Sequence, residues 1–157
     1  MINKTLQYDR EREYRYWIIA DTINALLLLL FVYTALSKLT RYKAFTVALE
    51  ETPLIGRYAS VIAWLLPVTE ILIAVLLFFP RIRLIGLFTS FAALLAFTGY
   101  LIYMVVYIPH LPCNCGGVLN SLSWKQHIIF NVFFLLISAW GICISVGKRT
   151  SLKKKPP

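Results

Sequence analysis

Four long apolar segments, roughly residues 17–36, 58–79, 84–108 and 124–146, leave this chain few folds to choose from. Each supplies the about 20 mainly apolar residues that a helix needs to cross the hydrocarbon of a bilayer. In that medium every backbone N–H and C=O has to be paired within its own segment, so the pattern predicts helices rather than strands. Composition agrees: 59% of the 157 residues are hydrophobic and only 15% are charged, and the mean hydropathy is +0.72, well outside the range of a soluble domain. The expected architecture is an all-α integral membrane protein, a bundle of four transmembrane helices with no separate soluble domain. An N-terminal segment, 1–16, precedes the membrane domain, 17–146, and a basic tail, 147–157, follows it. The first apolar segment contains Asp21 and Asn24 and lacks a small-residue cleavage site, so it is expected to remain as the first span.

The formal charge of +9 is not a nucleic-acid signal, because the basic residues sort by side. Eleven flank one face: Lys4, Arg10, Arg12 and Arg15 before the first span, Arg81 and Arg83 between the second and third, and Lys148, Arg149, Lys153, Lys154 and Lys155 after the fourth. The other face carries five, Lys38, Arg41, Lys43, Arg57 and Lys125. An excess of Lys and Arg marks the cytoplasmic side, which places both termini in the cytoplasm of a bacterial inner membrane and the connection 109–123 in the periplasm. The basic tail then lies against anionic headgroups.

That connection carries Cys113-Asn114-Cys115-Gly116-Gly117. A disulfide requires Cα atoms roughly 4.4–6.8 Å apart, so two cysteines one residue apart can be joined only across a sharp bend. Asn114 and the glycines suit such a bend, and Pro109 and Pro112 stiffen the approach to it. A strained bridge is the more easily reduced, a property of labile or catalytic disulfides rather than structural ones. An oxidising compartment fits the same chemistry. Two other readings stay open: incidental loop thiols, and half of a metal site completed by His110 and His127, although zinc sites usually leave two to four residues between cysteines.

Further candidates flank this loop. Ser123-Trp124-Lys125-Gln126 fits a capping box that starts the fourth span, and a helix N-terminus with Lys125 beside it, and Lys38 across the loop, favours thiolate. His127 falls in the first turn as a proton-transfer or thiolate-pairing group, with Asn131 four residues on to hold its ring or a ligand. The alternative for both is an interfacial polar residue satisfied by lipid, water or neighbouring helices. Glu70 lies about 18 Å into the second span, close to the bilayer centre, where an ionisable group is by default a functional candidate; the alternative is a protonated carboxyl bridging helices. Pro67 and Thr69 make the surrounding turn locally polar. Tyr100, Tyr103 and Tyr107 recur at helical spacing, either as an interfacial aromatic belt or as lining of a quinone or partner pocket. Between the first two spans, Tyr42–Leu49 forms a short amphipathic stretch. Cys143 lies 19 residues along the fourth span from Trp124, about 29 Å at helical rise, and is expected to be a buried apolar residue rather than a partner of the pair.

The Cys-x-Cys-Gly-Gly loop before a fourth helix, the run Phe31-Val32-Tyr33-Thr34-Ala35-Leu36-Ser37-Lys38-Leu39, and Pro67-Val68-Thr69-Glu70 resemble the MauE family, within the broader DoxX-like group. The likeness spans Trp17 to Val146. Gly116 stands where members usually carry Phe. The resemblance implies a four-helix membrane protein associated with redox maturation of periplasmic proteins, in the methylamine system the disulfide-rich small subunit of methylamine dehydrogenase, beside a thioredoxin-like partner. On that basis Cys113 and Cys115 would exchange disulfides with a thioredoxin-like protein on behalf of an exported client. Electrons would pass to a quinone in the bundle, for which Glu70, Asn131 and Tyr103 are the candidate contacts, or to another membrane partner. Against this stand a non-enzymatic accessory whose cysteines form a static clip, and a metal-handling protein using Cys113, Cys115, His110 and Glu70.

Overall fold

In the first helix the buried positions Leu27, Phe31, Ala35 and Lys38 recur every three or four residues, which gathers them into one stripe of a 3.6-residue helix. The second span shows the same stripe through Ala59, Ala63, Pro67, Ile73, Ala74 and Leu77. The computed structural model describes residues 2–52, 55–107 and 124–153. Its helices are α1 (Ile2–Thr40), α2 (Tyr42–Glu50), α3 (Ala59–Phe78), α4 (Arg83–Tyr107) and α5 (Trp124–Lys153), with a single 3₁₀ turn at Gly56–Tyr58 before α3. Among the described residues there is no strand. The four long helices cover the four apolar segments, and each is long and apolar enough to cross a membrane.

The long helices pack in the cyclic order α1, α3, α4, α5, each against two neighbours. No more than a third of the most apolar stretch of any of them is buried. Large apolar side chains such as Leu29, Trp64, Leu72, Phe88 and Leu136 point outward, as they do when the solvent is lipid. Because lipid is as apolar as leucine, the helices are held by close packing and interhelical polar contacts instead of by expulsion of water. Small residues accordingly occupy the seams. A Cβ added to Gly86 would stand 2.8 Å from the Leu77 nitrogen, and one added to Gly141 would meet the Ile23 side chain at 2.9 Å. The Ser138 hydroxyl donates to the Leu87 carbonyl at 3.2 Å, joining α5 to α4.

Two further contacts orient the bundle. Asp21 of α1 pairs with Arg83 at the start of α4, so the N-terminal half of α1 lies at the end of the bundle occupied by the turn between α3 and α4. Ser138 and Gly141 against Leu87 bring the C-terminal half of α5 to the same end. Asp21 is well exposed, and exposed ion pairs contribute little. Asp21→Asn should therefore change thermal unfolding of the detergent-solubilised protein by no more than about 1 kcal/mol.

The segment between the first two spans is not a plain loop. The helix α1 continues through Thr40, and after Arg41 the chain resumes as α2, over the amphipathic stretch seen in the sequence. Phe45 and Leu49 pack on Ala59 and Ala63, and Tyr42 meets Trp64 with ring centroids 5.4 Å apart. The helix α2 therefore prolongs α1 along the first turns of α3, and Lys38 is a helical residue on the buried stripe.

Candidate functional site

Lys38 and Glu70 meet inside the bundle. Both occupy the inward stripe of their own helix, and the Lys38 ammonium donates to Glu70 Oε1 at 2.6 Å. Glu70 lies eleven residues from Ala59 and eight from Phe78, or about 17 Å and 12 Å from the two ends of α3 at helical rise. Lys38 is seventeen residues beyond Asp21 on α1, about 26 Å along the axis, and two residues short of the end of that helix at Thr40. The Lys38 nitrogen stands 5.9 Å from the centroid of the Phe45 ring. Thr34, one turn earlier on α1, also bears on the Glu70 carboxyl. The second carboxyl oxygen, Oε2, is buried and has no hydrogen-bond partner among the described residues. Next to Glu70 in the chain, the Thr69 hydroxyl donates to the Leu65 carbonyl one turn back at 2.8 Å, so the polar character of this part of α3 includes its own backbone.

His127 approaches from α5. It is half-buried, its ring rests on Phe97 of α4 with centroids 6.0 Å apart, and it lies within electrostatic range of Lys38. Phe97 is fourteen residues from Arg83, about 21 Å along α4, a depth consistent with that of the Lys38 side chain. Beyond Phe97, α4 runs ten residues more to Tyr107, whereas α5 starts at Trp124, three residues before His127. The start of α5 is thus about 10 Å short of the far end of α4.

Of the residues singled out from sequence, Glu70 is joined to Lys38 by the ion pair, and His127 lies within electrostatic range of the same ammonium. The remaining candidates stand apart. Lys125 is exposed in the first turn of α5. The Asn131 amide donates to the His127 carbonyl at 3.1 Å, so it braces the backbone of that turn and not the imidazole. Tyr103 stacks on Tyr107 with centroids 5.0 Å apart, both exposed, and six residues on from Phe97 it faces some 240° around α4. Asn24 is buried and bonds the Ala20 carbonyl within its own helix. Cys143 corrects its expectation: it is exposed. Gly141 and Ser138 occupy the buried face of α5, and a residue two positions past Gly141 is turned some 200° away from it, into the lipid-facing side. Cys113, Cys115, His110 and Ser123 lie outside the described residues.

Sequence reasoning took Lys38 for a loop cation and missed it as the partner of Glu70. The signal was the spacing Phe31, Ala35, Lys38, which puts the lysine on the same face as the apolar stripe before it.

No curated protein and no solved structure matches this chain. A family model does, described as methylamine utilisation protein MauE, over residues 16–144. That range contains the apolar part of all four spanning helices, the Lys38 and Glu70 pair, and the cysteine loop. The chain, a multi-pass membrane protein, belongs to the MauE family.

Proposed function

We propose that this protein is a membrane thiol–disulfide redox component in methylamine utilisation or a related maturation pathway, working through Cys113 and Cys115. The observation that carries this is the Cys-Asn-Cys-Gly-Gly sequence set between two spanning helices of a MauE-family chain. In the proposed exchange a thiolate of a thioredoxin-like protein attacks the Cys113–Cys115 disulfide. A mixed disulfide forms and one cysteine leaves as thiolate; the partner's second thiol then resolves the bridge. The partner ends oxidised, and the pair has gained two electrons and two protons. In this reading His127, in the first turn of the helix that follows the loop, accepts or returns a proton.

The orientation that serves this chemistry has both termini in the cytoplasm and the cysteine loop in the periplasm. Charge bias supports it more strongly than a linear count: with Lys38 paired inside the bundle, eleven basic residues flank one face and four the other.

The test is a redox titration of Cys113 and Cys115 in membranes, by alkylation mass shift across thiol/disulfide buffers, in a Cys143→Ser background. That substitution should leave abundance unchanged, because the residue it alters packs in no seam. A reversible two-electron transition well above roughly −300 mV, the upper end for structural disulfides, is the expected result. A pair that stays oxidised in every buffer would make it a static clip and overturn the reading.

A further inference from the structure

Removing two charges from water costs about as much as their attraction returns, and apolar side chains of similar volume would hold α1 to α3 as well or better. What the Lys38–Glu70 pair adds is direction. Apolar faces attract without regard to orientation, so helices joined by them alone are free to slide or turn. An ammonium on one carboxyl oxygen at 2.6 Å admits one depth and one rotation. Thr34, one turn before Lys38, bears on the same carboxyl, so α1 grips Glu70 from two successive turns of one face.

The level at which register is fixed coincides with a division of the core. On one side, Ile73, Ala74 and Leu77 of α3 pack with Leu27 and Phe31 of α1 and with Leu87 of α4. On the other, Ala59 and Ala63 of α3 pack with Phe45 and Leu49 of α2, and the two clusters share no residue. The backbone is interrupted at the same level in both segments. Arg41, three residues after Lys38, leaves the helical range at φ −113° and ψ 34°. Pro67, three residues before Glu70, has no N–H to offer the Ala63 carbonyl. Among the described residues α2 packs on α3, on the 3₁₀ turn before it and on α1, and touches neither α4 nor α5. It is clamped to that turn: a Cβ on Gly56 would stand 2.5 Å from the Glu50 carbonyl oxygen.

We propose that α2 and the first two turns of α3 form a flap that swings as one body about Arg41 and Pro67, and that the Lys38–Glu70 pair is its register lock. Both hinges are element ends or helix interruptions, the places that absorb such a rotation. The lock stands on the bundle side of each and reaches the flap through Phe45, whose ring centroid is 5.9 Å from the Lys38 nitrogen. The flap lies at the end of the bundle where α4 stops and α5 begins, so its position sets how open that end is. The inference is independent of the chemistry of Cys113 and Cys115.

The test is a set of pulsed electron resonance distances on the full-length protein in lipid nanodiscs, with Cys113, Cys115 and Cys143 replaced by serine. Spin labels on Val47→Cys and Ile129→Cys report α2 against α5, and labels on Leu29→Cys and Leu136→Cys report two helices on the bundle side of the hinges; all four positions are exposed. One narrow flap distance is expected with the pair intact. In Lys38→Met/Glu70→Leu that distribution should widen at least about twofold, with the Leu29–Leu136 distance and the unfolding temperature unchanged, as befits a pair that supplies specificity rather than stability. Adding Pro67→Ala, which returns an N–H to the Ala63 carbonyl, should narrow it again. If the double variant fails to fold, Glu70→Gln replaces it, with amide hydrogen exchange of α2 expected about tenfold faster and that of residues 23–34 unchanged. A wide distribution with the pair intact, equal widths with and without it, equal widening of the Leu29–Leu136 distance, no narrowing by Pro67→Ala, or unaltered α2 exchange in Glu70→Gln would each overturn the proposal.

Discussion

Glu70→Leu alone is expected to destabilise the bundle by about 3–5 kcal/mol, because it leaves the largely buried Lys38 ammonium without its carboxylate partner. Lys38→Met alone should behave similarly by stranding the carboxylate. Combined, the two substitutions should not add. The double variant removes both dehydrated charges and puts two flexible apolar side chains in their place, so it is expected to return to within about 1–2 kcal/mol of the starting protein or to surpass it. Thermal unfolding in one detergent, with membrane abundance as a second readout, measures all four corners of the cycle. Additive losses in the double variant would mean that the two residues act separately, and the contact at 2.6 Å would then carry no coupling.

The second large effect falls where two backbones touch. Gly86→Val should cost about 3 kcal/mol, since a Cβ there meets the Leu77 nitrogen at 2.8 Å and the Leu76 carbonyl carbon at 2.9 Å, atoms of a helix axis that cannot rotate away as a side chain does. Even Gly86→Ala should be harmful. Gly99 lies on the same helix with nothing within 4 Å of an added Cβ. There Gly→Ala should be neutral or stabilising by up to about 1 kcal/mol through helix propensity alone. Unfolding of the pair side by side checks the contrast, and equal effects at both positions would show that α3 and α4 do not pack as closely as described.

The membrane class and the four spans were legible because they rest on segment length and composition, which need no tertiary knowledge. The seams were partly legible too: the stripe through Ala59, Ala63 and Pro67 carries on to Glu70 at helical spacing, so an inward carboxylate could be read directly. Its partner obeys the same rule through Phe31, Ala35 and Lys38, but its place near the end of the span hides it. Cations near a span end are taken as flanking markers, and only the extension of α1 to Thr40 moves Lys38 from flank to interior. The expectation for Cys143 fails for a different reason, whereas the exposed Tyr103 suits the interfacial belt. In a soluble core an apolar or aromatic residue at helical spacing faces inward, whereas here the exterior is the more apolar side, so hydrophobicity no longer tells the inside from the outside. Small residues mark the seams, with Ala35, Gly86, Ser138 and Gly141 facing in, but large apolar ones fall on both sides, Leu27 and Phe31 inward and Leu29, Trp64 and Phe88 outward. The cysteine loop is the reverse case, with its chemistry plain in the sequence and its geometry lying outside the described residues.

The outward position of Cys143 has a spatial consequence of its own. Its sulfur sits on the face of α5 turned away from Gly141 and Ser138, nineteen residues and about 29 Å along the helix from Trp124, so the length of a rigid helix, and no covering side chain, keeps the third thiol apart from the chain that enters α5.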